Sequence, residues 1–213
     1  MTVPRVRWAV AGVVLAGAFF WLGLLVDRQP LPLDQKVATA LRGQDSQPAG
    51  QMAGVLTNVL GPVLPYLLGA VLLALVLRDR SRFPLCARLA VVLLLCRLTS
   101  LVFKPVFQRQ RPRAYPDLSY PSGHVVSVAS TGFVAILLCA WLLPRLLRWA
   151  VWGAVAATVL SAACRVVLGV HWVTDTVGAV LAVLGVGLLA ATALGLLPLP
   201  ARERPEERRS LDE

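Results

Sequence analysis

The chain has 213 residues, of which 57% are hydrophobic and 15% are charged, and its mean hydropathy is +0.71. This composition excludes an ordinary soluble domain and indicates an integral membrane protein. A formal net charge of +10 is also typical of nucleic-acid-binding proteins. Here, however, the cations punctuate apolar runs, as they do in the basic loops of membrane proteins, so we exclude nucleic acid as a partner.

Six apolar runs predict an all-α, polytopic membrane protein, a bundle of six transmembrane helices. Each run is long enough to cross a hydrocarbon core of roughly 30 Å at about 1.5 Å per residue. Their approximate limits are 8–26, 59–77, 84–103, 124–143, 147–168 and 173–197. We expect a single domain over residues 1–200, followed by a charged, disordered cytoplasmic tail over residues 201–213.

The amino-terminal part of the chain adds three details to this layout. The first run follows two arginines, as a signal peptide does, but it is long and no small-residue cleavage site follows, so we predict a retained span. The polar segment 27–58 is predicted to hold a short interfacial helix over residues 34–41. Pro62 and Pro65 are expected in the first turns of the second span, where proline costs no helical hydrogen bond.

The distribution of Lys and Arg between the loops predicts the orientation in the membrane. Six spans place both termini on one side, together with eleven Lys or Arg residues, and eight lie on the other side. Three of those eight, Lys104, Arg111 and Arg165, belong to polar clusters and have another reason to be there. Eleven cations against the remaining five predict cytoplasmic termini and extracytoplasmic clusters.

Three polar clusters interrupt the apolar runs, and together they contain both histidines of the chain. They cover residues 104–112, 120–124 and 165–175, at the end of the third span, the start of the fourth, and the junction of the fifth and sixth. Titratable residues beside membrane spans are costly to place and are usually functional. All three clusters are expected to meet at one face of the membrane.

The cluster at 120–124 has the features of a phosphate-binding helix start. Unpaired N–H groups and the positive end of the helix dipole attract phosphate at a helix amino terminus. Gly123 permits close approach to the backbone, and Ser122 is expected to be the N-cap. An ordinary serine-capped helix start is the alternative, and the neighbouring His124 argues against it.

His171 and Asp175 lie four residues apart and would share a face of a helix. Asp175 would then accept an N–H from the His171 ring, fix its tautomer and leave the other ring nitrogen free to attack an electrophile. The alternative is an aspartate that caps the sixth span and a histidine without a chemical role.

The cations near these clusters have structural alternatives. Arg109 and Arg113 are expected to be solvated or to contact lipid headgroups. Arg97 precedes Lys104 by seven residues, about 10 Å deeper on nearly the same helix face, and we expect it to support the site structurally. Three other cations are either phosphate ligands or simple flanking and snorkelling charges: Lys104, Arg111 and Arg165.

Together the clusters resemble the three-part signature of the type 2 phosphatidic acid phosphatase and vanadium haloperoxidase superfamily. The blocks are Lys104-x6-Arg111-Pro112, Pro121-Ser122-Gly123-His124 and Arg165-x5-His171-x3-Asp175. The resemblance covers roughly residues 50 to 195. One position differs, because the third block usually begins Ser-Arg and here begins with Cys164, which removes one minor hydrogen bond.

The resemblance implies a membrane lipid phosphatase that works through a phosphohistidine. His171 would be the nucleophile, Asp175 would orient it, and His124 would be the general acid and then the general base. Five groups would bind the phosphoryl oxygens: Lys104, Arg111, Ser122, Gly123 and Arg165. We expect no metal and no cofactor, because these cations supply the electrostatic stabilisation.

The expected substrate is a polyprenyl diphosphate such as undecaprenyl diphosphate, at the extracytoplasmic face of a bacterial cell membrane. Phosphatidate or phosphatidylglycerophosphate is the alternative lipid. A lipid phosphotransferase would use the same intermediate, and a catalytically silent transporter or assembly factor is the non-enzymatic alternative. A haloperoxidase is disfavoured because those relatives are soluble. The expected partners are the lipid substrate and the bilayer, and the sequence gives no oligomeric state.

Overall fold

A computed structural model describes residues 3–27 and 29–199, and within them it contains seven α-helices and no strand. Six helices are long and apolar enough to cross a membrane, which confirms the predicted all-α, six-span bundle. The predicted tail at 201–213 lies outside the described residues. The helices are α1 (Val3–Val26), α2 (Pro32–Ala40), α3 (Pro48–Arg78), α4 (Phe83–Phe107), α5 (Gly123–Leu142), α6 (Leu147–Val167) and α7 (Val173–Ala193).

Helix α3 begins much earlier than predicted. It starts at Pro48, with Gln47 as the N-cap residue, rather than near residue 59. Pro48 suits the first turn, where its missing N–H is not needed, and polar residues in the next turns hid this start from a hydropathy reading. Pro62 and Pro65 therefore lie inside the helix, and their predicted placement in its first turns was wrong.

The interior prolines of α3 remove N–H groups that would donate to backbone carbonyls one turn earlier in the helix. Pro65 has no N–H to donate to the carbonyl of Gly61, four residues earlier. The hydroxyl of Ser127 on α5 donates to that carbonyl instead. Neighbouring helices commonly satisfy such groups in membrane proteins, and here the contact ties the middle of α3 to α5.

Helices α5 and α7 form the centre of the bundle. In their most apolar stretches 56% of the residues are buried, against 28% or less in the other four spans. Helix α1 packs closely along α7, and glycines make the approach possible. A Cβ atom at Gly185 of α7 would lie 2.6 Å from the backbone nitrogen of Ala16, and one at Gly12 of α1 would lie 2.8 Å from Leu189.

An aromatic cluster fixes the segment 108–122 that joins α4 to α5. The ring of Tyr120 is fully buried and stacks on Phe19 with ring centroids 5.4 Å apart. Its hydroxyl donates to the Phe19 carbonyl at 2.6 Å, and Phe107 meets the ring edge-on. Gly178 of α7 lies directly against the same ring. The segment is thereby anchored to α1, α4 and α7 at once.

Replacing Gly185 by leucine is expected to destabilise the protein by about 1–3 kcal/mol, because the new side chain overpacks the contact between α1 and α7. Thermal unfolding in detergent measures the loss. Gly17→Leu is the matched control, because no atom lies within 4 Å of a Cβ at that position. Equal losses in the two variants would contradict this account of the α1–α7 contact.

Candidate active site

The three polar clusters meet at one end of the bundle. The backbone N–H of Ser122, just before α5, donates to the backbone carbonyl of Asp175 in the first turn of α7 at 3.2 Å. The side chain of Arg111, in the segment after α4, donates to the carbonyl of Val170 between α6 and α7 at 2.7 Å. The predicted convergence of these segments at one face is therefore present in the structure.

His171 and Asp175 are in contact, and Asp175 also caps α7. The Nδ1 atom of His171 lies 3.3 Å from Oδ2 of Asp175, and both side chains are buried. The same carboxylate oxygen accepts the backbone N–H of Trp172 at 2.7 Å and the hydroxyl of Ser119. The contact with His171 and the capping role were alternatives in the sequence, and the structure contains both. The other ring nitrogen of His171, Nε2, faces the guanidinium of Arg111.

Arg111 stands at that second ring nitrogen. Its Nη1 lies 3.1 Å from Nε2 of His171, while Nε donates to the carbonyl of Asp117 at 2.6 Å and Nη2 to the carbonyl of Leu118 at 3.0 Å. Burial lowers the pKa of His171 below its usual range by more than the contact with the Asp175 carboxylate raises it, and the positive charge of Arg111 adds to the lowering. The imidazole is therefore neutral near pH 7 and carries a lone pair on Nε2.

A carboxylate lies between two of the predicted phosphate ligands. Asp117 pairs with Lys104 and also with Nη2 of Arg111 at 3.3 Å. Partial burial tends to raise the pKa of Asp117, but the hydrogen bond and charge of Lys104, with the charge of Arg111, hold that pKa below its usual value. Asp117 is thus an anion in the position where the cations were expected to hold phosphate, and sequence reasoning gave it no role.

Arg165 is buried at 4% exposure, so the alternative of snorkelling to the interface was wrong. Its Nε atom has no hydrogen-bond partner among residues 3–27 and 29–199. Arg165 also lies within electrostatic range of Arg111 and His171. A buried cation with an unused donor beside a second cation is an arrangement that an anion would stabilise.

Ser122 occupies the N-cap position of α5, as predicted, but its side chain makes no capping bond. Its buried Oγ has no partner within the part of the chain that the structure describes. Gly123 opens the helix, and the half-buried His124 follows within electrostatic range of Arg165, Lys104 and Arg111. The His124 ring packs on Gly61 of α3, where a Cβ would come within 2.5 Å of it.

Arg109 was expected to be solvated, and this prediction was wrong. The side chain is 3% exposed and bridges two buried carboxylates. Nη1 donates to Oδ1 of Asp175 at 2.6 Å and to the hydroxyl of Thr174 at 2.7 Å, and Nη2 donates to Oδ2 of Asp34 at 2.8 Å. Two carboxylates buried together require a shared cation. Arg113 does lie at the surface, where it pairs with Asp45.

Asp34 links helix α2 to this site. Its carboxylate is fully buried and accepts the backbone N–H of Thr174 at 3.0 Å and its hydroxyl at 2.6 Å. The predicted interfacial helix at 34–41 exists as α2 but is docked on α7 through this aspartate. Asp34 and Arg109 are 75 positions apart, and no spacing rule connects them in the sequence.

Two cavities border the clusters. One, of about 570 Å³, lies between α2 and the α6–α7 junction and is bordered by Pro112, His171 and Trp172. The other, of about 580 Å³, lies between α4 and α5 and extends from Lys104 to Arg97. Across the described ranges, no group of three or more His, Cys, Asp or Glu side chains is placed to hold a metal ion.

Comparison with known proteins places these observations in a family. A segment of 133 residues is 31% identical to the Lipid A 4'-phosphatase of Porphyromonas gingivalis, and this match spans 55% of the chain but only about half, 52%, of that relative. The crystal structure of a transmembrane PAP2 type phosphatidylglycerolphosphate phosphatase from Bacillus subtilis superposes with a TM-score of 0.70 over 91% of this chain and 98% of that one. At 23% identity this likeness shows the fold.

The family model itself covers all three polar clusters. Residues 85–196, just over half of the chain, match the PAP2 superfamily. This range contains the last four of the six membrane-spanning helices and lies within the region of the resemblance noted in the sequence. The chain is therefore a multi-pass membrane protein and belongs to the PAP2 superfamily.

Proposed function

We propose that this protein is a membrane lipid phosphatase that hydrolyses a phosphomonoester or diphosphate through a phosphohistidine on His171. The observation that carries the proposal is the buried His171–Asp175 pair, whose free Nε2 faces the guanidinium of Arg111 at 3.1 Å. A neutral imidazole held by a carboxylate and facing cations has the geometry of an activated nucleophile beside an anion site.

In the first step, Nε2 of His171 attacks phosphorus while the bond from phosphorus to the leaving oxygen breaks. Asp175 stabilises the positive charge that develops on the ring, and His124 donates a proton to the leaving oxygen. A bound phosphate accepts a hydrogen bond from the N–H of Arg111 that otherwise points at Nε2 of His171. In the second step, His124 accepts a proton from water, the water oxygen attacks phosphorus, the N–P bond breaks, and inorganic phosphate leaves.

The phosphoryl oxygens are proposed to bind Lys104, Arg111, Arg165, the hydroxyl of Ser122 and the backbone N–H of Gly123. The unpartnered Ser122 Oγ and Arg165 Nε support this assignment, since both are buried groups able to donate. The Asp117 carboxylate supports it as well, because an anion already pairs with two of these cations. These charges take the role that divalent metals have in other phosphatases, so the proposed reaction requires neither metal nor cofactor.

Arg109 is proposed to act as a positioning residue. It fixes Oδ1 of Asp175 while Oδ2 faces His171, so the carboxylate cannot rotate away from the imidazole. Asp34 supplies the second negative charge that keeps Arg109 in place.

The sequence-based expectation is a polyprenyl diphosphate at the outer face of a bacterial membrane, within one domain over residues 1–200. The two relatives are named for a lipid A phosphate and for phosphatidylglycerolphosphate, which supports a phosphomonoester as the alternative. Transfer of the phosphate to an acceptor other than water would use the same phosphohistidine. The complete set of polar groups argues against a silent transporter or assembly factor.

His171→Ala is expected to reduce phosphate release to background on every substrate, because no neighbouring group replaces a lost nucleophile. The assay measures release by purified protein from phosphatidate, a polyprenyl diphosphate and a nitrophenyl phosphate, with and without EDTA. Activity of the unaltered protein should survive the chelator. Substantial turnover by folded His171→Ala, or restoration by magnesium after chelation, would overturn the mechanism.

His124→Ala is the matched histidine control in the same assay. General acid catalysis contributes roughly 10²–10⁴-fold when the leaving group is basic and much less when it is a stable phenolate. In a burst measurement, His124→Ala should therefore form phosphoenzyme at a nearly normal rate from the nitrophenyl ester. It should form phosphoenzyme slowly from phosphatidate. Equal losses on both substrates would mean that His124 only positions phosphate.

The ring of His171 is expected to stay neutral when the pH falls through the ordinary histidine value of about 6.5. Its pKa is lowered mainly by burial, so protonation, and with it the loss of the nucleophile, should occur only at clearly lower pH. The chain has two histidines, so ¹⁵N-histidine labelling gives two ring systems, and His124→Ala assigns them. A His171 titration midpoint at or above 6.5 would contradict the expected direction.

A cysteine at Ala114 is expected to react with a membrane-impermeant thiol reagent in intact spheroplasts, and a cysteine at Arg80 only after permeabilisation. Both residues are exposed, and they lie at opposite ends of α4. The Lys and Arg count puts the end near Ala114 outside. Labelling of the unaltered chain gives the background from the four native cysteines. The reverse labelling pattern would overturn the proposed orientation and the extracytoplasmic substrate.

A further inference from the structure

A cation lies in the middle of a membrane-spanning helix. Arg97 is in the middle of α4, seven residues before Lys104 and therefore about 10 Å further from the site end of the helix. Within residues 3–27 and 29–199 its side chain makes one hydrogen bond, from Nη1 to Oγ of Ser127 at 2.5 Å, and pairs with no carboxylate. A charged side chain at this depth is costly and generally marks a functional contact.

Arg97 lines a cavity that two of the proposed phosphate ligands also border. The space of about 580 Å³ between α4 and α5 has Lys104 and Gly123 among its lining residues, and also Arg97 and Ser127. Ser127 follows Gly123 by four residues, so the guanidinium bonded to it lies about 6 Å below the start of α5. The other walls are largely apolar: Leu94, Leu98, Leu101 and Val126.

The contact with Ser127 holds the guanidinium at this depth. The Ser127 hydroxyl donates to the Gly61 carbonyl that Pro65 leaves free, so towards Arg97 it acts as an acceptor. A guanidinium has five N–H donors in a planar fork. Ser127 accepts from one of them, and the hydrogen bonds of the described residues engage none of the others, while the exposed Arg97 lines the cavity.

We infer that Arg97 binds a carbonyl oxygen of a fatty-acyl ester or amide in the substrate, which makes the preferred substrate an acylated lipid phosphate. The inference rests on the proposed function, because phosphate at Lys104 sets the depth of the rest of the lipid. In an acylated glycerophosphate the first carbonyl is only a few bonds from phosphorus, which suits a donor one helical turn below the phosphate site. A polyprenyl chain offers only C–H groups there and would leave the cation unpaired against hydrocarbon.

The test compares dioctanoyl phosphatidate with its dioctyl ether analogue, which lacks both carbonyls. A hydrogen bond from a charged donor corresponds to roughly a tenfold preference or more. The unaltered protein should therefore show kcat/KM for the ester at least about tenfold above that for the ether. Arg97→Met removes the donors but keeps an apolar stem. It should lower kcat/KM for the ester and leave that for the ether unchanged, so that the ester-to-ether ratio falls close to one.

Arg88→Met is the matched control, since Arg88 is an exposed arginine nearer the start of α4 and does not line the cavity. It should keep the ester-to-ether ratio of the unaltered protein. Ser127→Ala, which removes the partner that fixes the guanidinium, should lower the ratio partially and serves if Arg97→Met does not fold. Equal losses on both lipids in these variants, or an unaltered protein that does not distinguish them, would overturn the inference.

Failure of the proposed function has a different signature. In that case neither lipid would release phosphate, whatever residue stands at position 97. Binding of the same two lipids, followed by tryptophan fluorescence, still tests the carbonyl contact: tighter binding of the ester, lost in Arg97→Met, would support it, and equal binding would reject it.

Discussion

The architecture of the site depends on one buried cation that two carboxylates share. Arg109 reaches Asp34 of α2 and Asp175 of α7, and both carboxylates are fully buried. Removing Arg109 would leave both carboxylates without a cation in a medium of low polarity, which is far more costly than losing a surface ion pair. The interaction therefore holds three segments together: α2, the segment 108–122 and the first turn of α7. The same turn carries the carboxylate that contacts His171.

The rest of the site has an excess of positive charge. Lys104, Arg111 and Arg165 approach the two histidines, and among the residues that the structure describes only Asp117 forms ion pairs with Lys104 and Arg111. Repulsion between such cations is tolerated because the Arg109 network and the aromatic cluster around Tyr120 hold the surrounding backbone. These two clusters therefore stabilise a group of neighbouring cations that would otherwise repel each other. Such a group of cations is suited to an anionic ligand.

The sequence predicted the parts of this structure that follow from local spacing. The spans, the start of α5 at Gly123 and the four-residue step from His171 to Asp175 all follow from helical periodicity and hydropathy. The link between Arg109 and Asp34 was not predictable in this way, because it depends on how α2 docks against α7. The early start of α3 was missed because its first turns are polar, and hydropathy is a poor guide where a helix leaves the apolar layer. Asp117 was missed because nothing in a loop sequence shows which cations its carboxylate will meet.

The position of Asp117 has a consequence for selectivity within a crowded bilayer. Any ligand that binds between Lys104 and Arg111 must displace a carboxylate that carries one negative charge and is already in place. A phosphodiester headgroup also carries a single charge, so it exchanges one monoanion for another and gains little. A terminal phosphate that carries nearly two charges gains considerably more from the same pair of cations. On the proposed function, the loop carboxylate would therefore act as a charge threshold that favours a terminal phosphate over a diester headgroup.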